Sequence, residues 1–155
     1  MGYREKIPKG QYLSGVDEAR QKLQSAIDEM KQGAAQGLAD AALYILGESV
    51  QRAPVDTGNL RGSGYVDLDG QRIAQGTGPS PGIHVVGQVP GEASTAEIGF
   101  SANYAADQHE QVHLSHPRGG QAKYLESVLA EEPERIINTI AGRMWNSMEE
   151  GNSDD

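Results

Sequence analysis

The side chains best suited to chemistry lie between residues 109 and 126. His109-Glu110-Gln111-Val112-His113 has the H-E-x-x-H spacing. On a helix, that spacing puts two imidazoles one turn apart on one face. There they can bind zinc while the intervening Glu serves as general base. A zinc metallopeptidase is therefore a function to weigh, and the surroundings of the motif argue against it. Pro117 follows closely, so a helix here runs for about three turns at most, whereas such a site needs a well-supported helix. His116 is too close to serve in the extended spacing, and Gly119 stands where that spacing wants its last His. Glu126 and Glu131 are the downstream carboxylates left as a third ligand. The favoured reading of His84, His109, His113 and His116 is ordinary polar surface histidines. The expectation is no catalytic residue, no cofactor and no resident metal, with His109 and His113 the candidates to check.

Other chemistries are closed off more simply. The chain has no Cys, which excludes disulfides, thiolate metal sites and a Cys nucleophile. Gly76-Thr77-Gly78-Pro79-Ser80-Pro81-Gly82 is glycine-rich but lacks the Lys-Ser/Thr of a phosphate-binding loop, and its prolines remove N–H donors. It reads as an exposed loop. A net charge of −9, from 22 acids against 13 bases, is the wrong sign for gripping nucleic acid. No signal peptide is expected, and no run approaches the roughly 18 apolar residues of a membrane span. A soluble protein that stays in the cytoplasm of its making is the expectation.

The elements that position these residues follow from periodicity. With 155 residues, one domain is expected, and 5% aromatic content makes its core lean and aliphatic. Residues 1–13 have no period and are expected to be a flexible leader. A helix is expected from Ser14 or Asp17 to the residue before Pro54. Val16, Ala19, Leu23, Ile27, Met30, Ala34, Leu38, Ala41, Ala42, Ile45 and Ser49 mark its buried face. Gly33 and Gly37 either kink it or admit a close neighbour. Ser63–Leu68 and Arg72–Gln75 flank Asp69-Gly70, a hairpin signal. Ile83, Val85 and Val89 share one strand face, and Ala96, Ile98 and Phe100 another, with Glu97 opposite. From Gly119 the chain turns helical, with Ala122, Leu125 and Leu129 as one stripe. Pro133 and Glu134 open a fresh first turn whose stripe is Ile137, Ile140, Ala141, Met144 and Met148. Trp145 beside them suits a protein interface more than the core. The class is α+β: a long N-terminal helix, a small antiparallel sheet of about four strands and a C-terminal helix. Residues 14–149 form the domain and 150–155 an acidic tail.

Ala53-Pro54-Val55-Asp56-Thr57-Gly58-Asn59-Leu60-Arg61 is a helix stop followed by a capped turn. Leu60 is expected to tuck onto the core and Arg61 to face outward, solvated or in an inter-subunit ion pair. This wording after a long amphipathic helix resembles the gene-product-ten-like morphogenesis family of lambdoid siphophages, the head–tail joining and tail-completion proteins. Two further blocks match in the family's order. One is Asn103-Tyr104-Ala105-Ala106-Asp107-Gln108-His109-Glu110. The other runs from His116-Pro117 through Gly120-Gln121-Ala122-Lys123-Tyr124-Leu125-Glu126. The resemblance implies a structural protein of the phage virion, an oligomeric ring in the neck or, alternatively, a minor capsid protein elsewhere on the particle. Pro54, Asp56, Thr57, Gly58, Leu60, Arg61, Tyr104, His109, Glu110, Lys123, Tyr124 and Leu125 are then its motif and interface residues. Its partners would be further copies of itself and neighbouring neck, connector or tail proteins. DNA would pass through the ring unbound, along a wall on which Glu97 and the acids of residues 131–134 are the first acidic candidates.

Overall fold

A computed structural model describes residues 9–55 and 58–151, with side chains from Gly15 onward. Helix α1 (Lys9–Arg52) is followed by the short α2 (Asn59–Gly62). Strands β1 (Gly64–Leu68), β2 (Gln71–Gly76), β3 (Ile83–Val85) and β4 (Ala96–Phe100) come next, then α3 (Ala105–Glu110), α4 (Glu126–Glu131) and α5 (Pro133–Gly151). The sheet is antiparallel throughout, in the order β3-β2-β1-β4. The expected α+β class and its three parts are all present.

Two boundaries differ from expectation. Helix α1 already includes Lys9, so the leader expected over residues 1–13 is in part helical. A pattern search misses that turn because Lys9-Gly10-Gln11 carries no apolar period. At the other end Glu150 and Gly151 belong to α5, so the expected tail at 150–155 begins inside a helix. The rest of that tail lies outside the described residues.

The core forms where the second half of α1 lies on the sheet. Ala39, Ala42, Leu46 and Val50 pack against Val66, Leu68, Ile73 and Ala74. Ile83, Val89, Ala96, Ile98 and Phe100 close the edges of that layer. Ser49 is buried among them without penalty because its hydroxyl donates to the Ile45 carbonyl at 2.6 Å. Val85 departs from the expected shared face: it is exposed while Ile83 and Val89 pack inward. The third strand ends at Val85, so strand alternation does not place Val89. Asp69 (φ 45°) and Gly70 (φ 82°) make the hairpin turn. The Asp69 carboxylate also accepts N–H bonds from Ser94 and Thr95, which pins the entry to β4.

Helix α5 runs antiparallel to the same half of α1. The approach is set by Gly33 and Gly37. A Cβ on Gly37 would lie 2.8 Å from the Ile140 Cα, and one on Gly33 would lie 2.7 Å from the Arg143 carbonyl. Of the two readings of these glycines, the close neighbour is the one observed. Arg143 bonds Asp40 at 2.6 Å. Arg135 stacks on the Tyr44 ring at 3.9 Å. Gly151 ends α5 beside Glu29.

That ending has a consequence for the N-terminal part of α1. The stripe Val16–Ile27 was expected to be buried, yet Val16, Leu23 and Ile27 are 47%, 66% and 46% exposed. Among the described residues neither α5 nor the sheet reaches past Glu29, so the backbone of residues 9–28 extends beyond them as an arm about 30 Å long. From Gly119 onward the expected helix is also delayed. Ala122 and Leu125 precede α4, and only Leu129 of that stripe is helical. Pro133 does open α5 with Glu134 in its first turn. Among the described residues no helix is long and apolar enough to cross a membrane.

Substitution at the α1–α5 contact should separate local from tertiary effects. Gly37→Leu is expected to cost about 1–3 kcal/mol by forcing α5 off α1. At Gly47 a Cβ meets nothing within 4 Å, so Gly47→Ala should stabilise by about 1 kcal/mol through helix propensity alone. Urea denaturation of both variants checks the opposite signs.

Candidate functional site

The residues that carry the resemblance come together at the C-terminal end of α1. Pro54, with no N–H, stops the helix, and Ala53 and Pro54 are buried there. Leu60 turns inward as expected and packs with Ala53, Ala105 and Tyr124; Phe100, Ala102, Tyr104 and Leu125 surround them. The first block thus touches the second through Leu60 and Ala105, and the third through Tyr124. Backbone bonds add to this: Gln121 N donates to Arg52 O at 2.8 Å, and Lys123 N to His109 O at 2.8 Å. Gly120 (φ 96°) lies so close to Pro54 that a Cβ there would be 2.4 Å from the Pro54 Cα. Asn59 donates to the Tyr104 hydroxyl at 3.2 Å. Asp56 and Thr57 lie outside the described residues.

Arg61 overturns its expectation. It does not face outward: it is 8% exposed and its guanidinium points back under the end of α1. Its Nε donates to Ala53 O at 3.1 Å, its Nη2 to Gln51 O at 3.4 Å and its Nη1 to Pro79 O at 3.4 Å. These are carbonyls that a helix end and a proline loop leave unpaired. The 76–82 loop is held as well. Gly58 (φ 84°) is packed on Pro79, and Thr77 N bonds Gly82 O at 2.9 Å.

Tyr124 is the buried hub. Its hydroxyl donates to Ala105 O at 2.9 Å, and its ring meets the edges of Phe100 and His109, each at 4.9 Å. Burial pushes its hydroxyl up to about 12, so it stays a neutral donor. On the solvent side of that ring lies the polar cluster. His109 Nδ1 bonds Glu110 at 2.7 Å, and the Glu126 N–H donates to His109 Nε2 at 3.4 Å. Lys123 makes a short bond to Glu110 and a 3.0 Å ion pair with Glu126. The Lys123 hydrogen bond, then that of His109, holds the Glu110 carboxyl below its ordinary range, and Lys123 is raised by Glu110 and then Glu126.

This geometry bears on zinc. Ligand atoms of His109, Glu110 and Glu126 lie within 4.8 Å of one another. The Lys123 ammonium already bonds both carboxylates, and both nitrogens of His109 are engaged. Helix α3 ends at Glu110, so His113 falls beyond it and the two-histidine face does not form. Glu131 is elsewhere, bridged to Arg52 at 2.8 Å. As they stand, these residues form an ion-pair clamp between α3 and α4.

Beside the hub, a groove of about 530 Å³ is lined by Pro54, Val55, Leu60, Tyr104, His116 and Arg118 among others. His84 lies apart, on β3. Two groups escaped the sequence reading. Arg52 joins Glu48, Ser127 and Glu131 across two helices; the Glu48–Arg52 spacing was its only signal. The outer sheet face carries Arg72 stacked on Tyr65 at 4.1 Å, with Tyr65 donating to Glu97 at 2.6 Å. Only strand register reveals that ladder. Comparisons with protein-family models, curated proteins and solved structures find no match.

Two outcomes follow. Arg61→Ala should destabilise by about 1–3 kcal/mol, since it strands buried carbonyls. Arg61→Lys should recover little, because one ammonium cannot span three acceptors in a fork. The clamp should also be pH-dependent. With the Glu110 carboxyl depressed in the fold, its contribution is present above the ordinary value of 4.5 and lost as pH falls through the folded value. With Lys123 raised, its share is present below 10.5 and lost as pH rises through the folded value. Urea midpoints of wild type and Glu110→Gln should therefore differ at neutral pH and converge on acidification.

Proposed function

We propose that this chain is a structural subunit of a tailed-bacteriophage virion, a ring-forming protein of the neck that acts in head–tail joining or tail completion. The observation that carries this reading is the convergence of the three resembling blocks. Segments far apart in the chain, at 53–61, 103–110 and 116–126, meet at Tyr124 and the end of α1. The matching wording therefore belongs to one built unit of the fold. That unit holds α1, α4 and the connection to α5 in a fixed relation, which suits a subunit that works by shape.

Surface chemistry supports the same reading. Val16, Leu23, Ile27, Leu129, Ile137 and Trp145 are large apolar residues left wet on helices, as expected where copies or neighbouring rings meet. His109, Glu110, Lys123 and Glu126 are bonded to one another, which suits a fastening role. A charge of −9 per copy, repeated round a ring, would let DNA pass without gripping it. Of the acids proposed for the channel wall, Glu131 and Glu132 are partly offset by Arg52 and Arg135.

Electron microscopy of particles carrying a tagged copy tests the proposal. Density for the tag is expected at the junction of head and tail. Density spread over the capsid would replace the neck reading with a minor capsid protein, and absence from purified particles would end both. Tight duplex binding at physiological salt with a steep salt slope would contradict the unbound passage of DNA.

A further inference from the structure

We draw no further inference here: the strongest candidate, the groove beside the Tyr124 hub lined by Pro54, Leu60, Tyr104, Gln108 and His116, carries nothing, because the unpartnered Nε2 of His116 is buried instead of being presented to a ligand and nothing in the structure shows what fills the groove.

Discussion

The last turn of α1 leaves carbonyl oxygens with no helical partner, and each of them must be met where water is excluded. Arg61 meets Ala53 and Gln51, and the Gln121 N–H meets Arg52. Both partners come from segments that pack around Leu60 and Tyr124. One unsatisfied helix end thus fixes the turn at 58–61 and, through Pro79, the loop at 76–82. It also fixes the run into α4. The sheet begins two residues after α2, so the hairpin and β4 inherit their placement from the same point.

The hub works because its polar groups are satisfied locally. Tyr124 is buried with its hydroxyl donating to a backbone carbonyl, which avoids the cost of an orphan donor. Outside it, one imidazole, two carboxylates and one ammonium are bonded to one another. An HExxH string and a metal site differ in their surroundings. Zinc needs free lone pairs on two imidazoles one turn apart, whereas here one imidazole is tied up and the helix stops before the other. The same residue types serve as a fastener between α3 and α4.

Much of this fold was legible because it rests on short-range signals. Pro54, Asp69-Gly70 and Pro133 act through their own backbones, and all three mark the boundaries expected of them. Ala96, Ile98 and Phe100 alternate as a half-buried strand must. Arg61 was misread because an arginine after a turn is usually solvated, and no local pattern shows that a helix end lies behind it. The Tyr65–Glu97 pair and the Asp69–Ser94 bonds depend on register, which a single sequence does not display. The stripe at 16–27 is the most instructive case. Its periodicity is real, but periodicity states that a face seeks cover and says nothing of whether the cover lies in the same chain.

Helix α1 makes that distinction physical. An isolated helical segment of the arm's length is marginal in water, because nucleation is costly and propagation gains little per residue. Here nucleation is met by the packed half, where Ala39, Ala42, Leu46 and Val50 lie on the sheet and Gly33 and Gly37 hold α5. The arm only has to propagate from that end, and Gln24–Asp28 and Ser25–Glu29 contacts along it help. The arm therefore keeps its stripe ordered in space by continuity with the packed half. The lean core, with one Phe and one exposed Trp, leaves the chain few apolar groups to spend inside. Several of them sit instead on the exposed faces of α1 and α5, where the described residues give them no cover.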